Sequence, residues 1–234
     1  NAVDEGLRYI NNDACYPTIV TLGQIISYLK SGEVDLNKVG IFMSQTGGGC
    51  RASNYVALLR KALKDMGMEQ IPVISVNMAG LEKNPGFKIS KGIIKRGMMA
   101  VMYGDLLMRV LYATRPYEKV PGSANALYEE CCDMIRDNIV SGDMKEYKRL
   151  MMVIAEKFDQ LPLLDIKKPR VGVVGEILVK YHPNANNDIV NIIESEGGEA
   201  VVLDLADFFL YGMYSKEFNY RHLSGTYQAM MMNK

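Results

Sequence analysis

Apolar residues return every three or four positions across residues 17–30, at Ile19, Val20, Leu22, Ile25, Ile26 and Leu29. That stripe predicts a helix, and Ser31-Gly32 supplies its stop. The pattern then shortens to the run Val39-Gly40-Ile41-Phe42-Met43, which predicts a buried strand, followed by a tight loop at 46–49. Residues 51–66 return to the helical period, with Val56, Leu58, Leu59, Ala62 and Leu63 on one face and Gly67 at the end. Residues 71–76 predict a second strand. Strand, glycine loop, helix and strand make a βαβ unit, whose right-handed crossover sets the two strands parallel.

From 91 to 157 the helical period persists, in segments 92–113, 123–140 and 143–158, the second with Ser123 as its cap. Methionine is dense here, which points to packing between helices ahead of a pliable binding surface, because the unbranched thioether fills irregular gaps. Asp165-Ile166-Lys167-Lys168-Pro169 reads as a polar hinge. Arg170-Val171-Gly172-Val173-Val174-Gly175 then opens a second βαβ unit, with a helix at 185–196 and a strand at 200–203. One such unit is a small core to fold alone. The expected architecture is α/β: a Rossmann-like parallel-sheet lobe over residues 1–167 with a helical subdomain at about 88–160, and a partial second α/β lobe over 168–234.

Charge narrows the function classes. Lys plus Arg and Asp plus Glu are equal at 27 each, so no global attraction draws the chain to nucleic acid or to an anionic membrane. No apolar run approaches the roughly 20 residues of a membrane span. The opening Asn1-Ala2-Val3-Asp4-Glu5 has neither the form of a secretory signal nor an initiator Met, and reads as part of something longer. Four cysteines beside 16 methionines point to a reducing cytoplasm and away from a disulfide-stapled secreted domain.

Two of those cysteines sit at turns that run into helices. Cys15 lies in Asn11-Asn12-Asp13-Ala14-Cys15-Tyr16-Pro17, and Cys50 closes Gln45-Thr46-Gly47-Gly48-Gly49-Cys50-Arg51. Helix N-termini favour the thiolate, because unpaired amides and the helix dipole stabilise negative charge. Two thiolates from two turns can share a soft metal or an iron–sulfur cluster, while the bland reading is a pair of structural thiols. Gly47, Gly48 and Gly49 permit a tight turn, cradle an anion on their amides, or let backbone close around a cluster. Arg51 and Ser53 follow as further cofactor-binding candidates. The GxxxxGK[ST] and GxGxxG patterns are both missing. Cys131 and Cys132 are adjacent on a helix, point about 100° apart and read as core thiols. Glu176 and His182 are weak acid–base candidates; Asn184 or Asn186 reads as a helix cap, and His222 as a surface residue.

At Asn12-Asp13-Ala14-Cys15-Tyr16-Pro17, at the run from Gln45 through Cys50-Arg51-Ala52-Ser53-Asn54-Tyr55, and at Val174-Gly175-Glu176-Ile177-Leu178-Val179-Lys180-Tyr181-His182-Pro183, the chain resembles the 2-hydroxyacyl-CoA dehydratase family. More narrowly it is similar to the D-component-like branch related to CoA-substrate-specific enzyme activases, over essentially its whole length. The resemblance implies two α/β lobes with a 4Fe-4S cluster between them, held by cysteines, with one position left for water or substrate. It implies an acyl-CoA-like substrate and an ATP-dependent activator, protein or domain, that injects the electron. Cys15 and Cys50 match the first two cluster cysteines. The third is expected in the second lobe, and none of the four cysteines lies beyond residue 132, so the resemblance implies an absent or incomplete cluster here. A non-catalytic electron carrier or scaffold that docks the activator is the alternative it leaves open.

Overall fold

The computed structural model describes residues 1–45, 50–77 and 90–227, in two compact units, Asn1–Lys88 and Ile89–Lys234. In the first, α1 (Ala2–Tyr9) packs on α2 (Tyr16–Lys30). Two glycines set how close they come. A β-carbon on Gly6 would stand 2.2 Å from the Ile19 carbonyl oxygen, and one on Gly23 1.8 Å from that of Ala2. No atom fits at either distance, so the helices meet backbone to backbone only because both positions are glycine.

The chain continues through β1 (Ile41–Gln45), a 3-10 turn (Arg51–Asn54), α3 (Tyr55–Asp65) and β2 (Val73–Asn77). The strands pair in parallel, from Ile41 opposite Val73 to Gln45 opposite Asn77, as the βαβ reading requires. Ile41, Met43 and Val73 join Ile19, Leu22, Val56, Leu59 and Leu63 in one apolar core. The strand expected at 39–43 begins two residues later. It alternates: Ile41, Met43 and Gln45 are buried while Phe42 is 59% exposed, so one face of β1 is covered, not two.

The second unit opens with three helices that pack on one another, α4 (Lys91–Thr114), α5 (Ser123–Ser141) and α6 (Met144–Asp159). Their core is Tyr103, Leu107, Leu111, Cys131, Ile135, Leu150, Ile154 and Phe158. The fully buried Tyr103 hydroxyl donates to Asn138 Oδ1 at 2.8 Å, and the Asn138 amide donates to the Asp143 carbonyl at 3.0 Å. Among the methionines of these helices Met99 alone is buried; Met98, Met102, Met144 and Met152 are exposed. Met134 and Met151 pack half-buried against this core, so methionine serves helix packing at the margin of the layer more than at its centre. Nor does Ser123 cap α5 with its own side chain. Glu118 does so from five residues upstream, accepting the Gly122 and Ala124 amides at 2.6 and 2.8 Å.

Then come β3 (Arg170–Val173), α7 (Ile177–Tyr181), α8 (Ile189–Ser195), β4 (Glu199–Val202) and α9 (Leu205–His222). β3 and β4 pair in parallel and form a sheet separate from β1–β2. The helix expected at 185–196 starts late, because Asn187 and Asp188 take left-handed conformations, φ 56° and 57°, just before α8.

One edge of α4 holds this unit together. Asp105, 7% exposed, accepts the Leu205 and Ala206 amides at 2.7 and 2.8 Å and so caps α9 from another helix. Arg109 pairs with Asp204, and just past the helix Arg115 grips Glu194 with two bonds of 2.7 and 2.9 Å. Glu199, on β4, takes the Tyr117 hydroxyl and the Arg170 guanidinium at 2.7 and 2.9 Å. The sequence reading attaches the helices to the first lobe, with a boundary at 167/168. The compact units divide at Lys88/Ile89, and within the second unit α4 packs against β4. No helix among the described residues is long and apolar enough to cross a membrane.

Two outcomes follow. Asp105→Ala leaves two half-buried amides without their acceptor, which costs about 1–2 kcal/mol and lowers the unfolding temperature, whereas Asp105→Asn keeps one acceptor oxygen and loses less. Alkali should also unfold this unit. Burial pushes Tyr103 and Tyr128 from 10.0 up to about 12, and Cys131 from 9.0 up to about 11. Above pH 9 the unfolded chain sheds these protons first, so stability is whole below pH 9 and falls as pH rises toward 12. Denaturant midpoints that stay constant over that window would contradict the burial of all three.

Candidate functional site

Both candidate cysteines stand at N-caps. Cys15 precedes α2 with extended backbone (φ −61°, ψ 147°), and its carbonyl accepts the Thr18 and Ile19 amides. Asn11 sets up the turn before it, its side chain accepting the Asp13 amide at 3.0 Å. Cys50 precedes the 3-10 turn (φ −84°, ψ 150°), and its sulfur accepts the Ala52 amide at 3.5 Å. Each sulfur thus opens a helical segment, as the turn signals in the sequence predict. Cys50 lies just past the carboxyl end of β1, the edge at which parallel α/β sheets place ligands.

The segment after Cys50 is anchored by a residue the sequence reading quotes but gives no role. Gln45, buried at the end of β1, accepts the Ser75 hydroxyl at 2.7 Å and donates to the Ser53 carbonyl at 3.2 Å. A single amide therefore ties both strands to the 3-10 turn. With Ser75 itself 1% exposed, that polar cluster is closed to water, where hydrogen bonds hold geometry well.

A phenol brings the two turns into one neighbourhood. Cys15 Sγ lies 2.9 Å from Thr18 Oγ1, and Thr18 is wholly buried. The half-buried Tyr55, from the first turn of α3, lies near enough to Thr18, Cys15 and Cys50 for each to act on its hydroxyl. Burial pushes Tyr55 up to about 12; Thr18 opposes the shift, while Cys15 and Cys50 add to it. Tyr55 is the residue that sequence reasoning missed. The faint signal was its place five residues after Cys50, at the start of the predicted helix.

The other candidates divide. Gly47, Gly48 and Gly49 lie outside the described residues, as does the Arg51 side chain, while the backbone of Arg51 opens the 3-10 turn. Ser53 is half-buried and offers its carbonyl to Gln45. Glu176 caps α7, its carboxylate accepting the Leu178 and Val179 amides at 2.8 and 3.3 Å. His182 is half-buried at the end of that helix. Neither lines the cleft of about 310 Å³ that Tyr112, Arg115, Tyr128, Lys180 and Asn186 help to form in the second unit. Asn186 acts in capping, accepting the Ile189 amide, and the exposed His222 ring lies against Phe218. Cys131 is buried in the helical core, and Cys132 is half-buried beside Tyr128, so this pair packs as the sequence reading expects.

Cys15 and Cys50 are soft sulfur donors of the kind a cluster takes, and each stands at the start of a helical segment. No group of three His, Cys, Asp or Glu that could hold a metal comes together among the described residues, so further ligands have to come from elsewhere. No family model, no curated protein and no solved structure matches this chain.

Native-state alkylation followed by peptide mass spectrometry should rank the thiols. The exposed Cys50 reacts first, the half-buried Cys15 and Cys132 follow, and the buried Cys131 reacts only on unfolding. Early labelling of Cys131 would contradict its place in the core.

Proposed function

We propose that this chain is part of an iron–sulfur protein related to the 2-hydroxyacyl-CoA dehydratases. In this reading it acts in ATP-driven, low-potential electron transfer to an acyl-CoA-like substrate, or in dehydration of that substrate. The observation that carries the reading is positional: two cysteines each stand at the N-cap of a helical segment, Cys15 against the buried Thr18 and Cys50 past the carboxyl end of β1. Cys15 and Cys50 would be the ligands this chain supplies, and Thr18 and Tyr55 would orient the Cys15 sulfur. A bound 4Fe-4S centre would supply one-electron chemistry that no side chain can. The amides after the glycine loop and the Arg51 guanidinium would offer positive potential to cluster sulfurs or to an anion. The finer fold, a Rossmann-like lobe and a second lobe closing on the cluster, belongs to the same proposal, as do a cytoplasmic setting and an ATP-dependent activator as partner.

A second reading, an electron carrier or scaffold that docks the activator and binds no CoA ester, is favoured by one observation. Glu176, one of the two acid–base candidates, spends its carboxylate on capping α7.

Anaerobic reconstitution with ferrous iron and sulfide tests the first claim. Iron and sulfide should bind in equal amounts, and Cys15→Ser or Cys50→Ser should each remove most of the bound iron while leaving the fold intact by circular dichroism. Wild-type protein that takes up no more iron than the double variant sinks the reading. Titration of the loaded protein with acyl-CoA esters then separates the two roles: a cluster spectrum that shifts marks a substrate-binding centre, and one indifferent to every ester marks the carrier.

A further inference from the structure

The helix α9 carries Phe208, Phe209, Leu210, Tyr211, Met213, Tyr214, Phe218 and Tyr220, yet none of its residues is buried. Large apolar side chains left exposed side by side mark an interaction surface. Its first turn is the attached end: Asp105 takes the Leu205 and Ala206 amides, and Asp204 pairs with Arg109, all through α4. At about 100° per residue, Phe208, Tyr211, Tyr214 and Phe218 fall within an arc of roughly 120°, on the side opposite Leu205 and Ala206. They expose 53%, 73%, 75% and 57% of their surface. We propose that this aromatic stripe is an interface on which α9 of a second copy of the chain packs antiparallel.

Area is sufficient. With about 200 Å² for each aromatic residue, the four expose roughly 500 Å² per copy. Pairing two copies buries at most about 1,000 Å², where specific interfaces begin, and a patch of this size on a monomer is often a functional surface. Charge chooses the direction. Asp207 falls on the same side of the helix near the start of the stripe, and His222 within it and Arg221 beside it near the end. Antiparallel pairing sets Asp207 of each copy against the basic end of the other and opposes the two helix dipoles favourably; parallel pairing would set like charges side by side. Arg221 already holds its own Glu217, and a guanidinium with five N–H donors can serve a second carboxylate. Gly212, beside Tyr211, leaves room for a facing ring: a β-carbon there meets nothing within 4 Å.

Sedimentation equilibrium of the chain over a dilution series tests this, with circular dichroism and the unfolding temperature confirming that each variant folds. Wild type should show a monomer–dimer equilibrium. Tyr211→Glu combined with Tyr214→Glu should weaken it about tenfold or more, a loss typical of central interface aromatics. Asp207→Arg and Arg221→Asp should each weaken it, and the two together should regain most of the loss. Lys216→Glu, on another side of the helix, should leave it unchanged. A wild type that stays monomeric at every concentration overturns the proposal. So does a dimer indifferent to the tyrosine pair, or one that the double charge reversal fails to restore. This proposal makes no use of the cysteine site, so either can fail alone.

Discussion

The second unit depends on the polar edge of α4. A two-stranded parallel sheet offers little apolar surface of its own, and β3–β4 gains its order from what is laid against it. Asp105 and Arg109 lie one turn apart on that edge, and Arg115 just beyond it, meeting the start of α9, Asp204 and Glu194 in turn. These bonds carry different weight. Arg109 is 65% exposed, so its pair with Asp204 adds little net energy. Asp105 is enclosed and serves two amides that have no helical acceptor, which makes it the costly one to lose. Arg115 and Glu194, each under a fifth exposed and doubly bonded, fix register more than they add stability.

The first unit solves the opposite problem. Its candidate chemistry stands on loops, and loops need anchors if they are to hold two sulfurs in a set relation. Gln45 and Ser75 provide one anchor from within the sheet, and the buried Thr18 provides the other from α2. The close α1–α2 packing through Gly6 and Gly23 then fixes the helix that Cys15 opens. Three short-range constraints thus bear on one small region, and Tyr55 stands where they meet.

How far this could be read from the chain depends on where each signal lies. Helices announced themselves by apolar spacing, and α2, α4, α5 and α6 start and stop within two residues of expectation. β1 drifted by two residues because Val39 and Gly40 extend its apolar run without entering the ladder. α9 mixes Asp207, Ser215 and His222 into its aromatic side and carries Phe209, Leu210 and Met213 elsewhere, so its apolar period is weak. Capping was the least legible feature: the farthest amides that Glu118 and Asp105 take, in α5 and α9, lie 6 and 101 residues away in sequence. Of the site, the N-cap positions of Cys15 and Cys50 were legible because turns have local signatures. The link through Tyr55 and Thr18 was not, since it joins residues 37 apart (55 minus 18) that meet only in the fold.

The four cysteines show why position outweighs residue type. Cys131 and Cys132 sit within a regular helix, where burial raises both thiols and favours the protonated form; a thiol in that state is a poor ligand and a slow nucleophile. Cys15 and Cys50 sit where helical segments begin, with Cys50 already receiving a backbone N–H at its sulfur. Composition does not separate these pairs, and neither does spacing, since the adjacent pair is the one that looks like a motif. What separates them is place in the helix: Cys50 takes an amide at its sulfur, and Cys15 has the Thr18 hydroxyl at 2.9 Å. A helix interior has spent its amides on its own carbonyls, whereas its first turn has amides to spare for an anion.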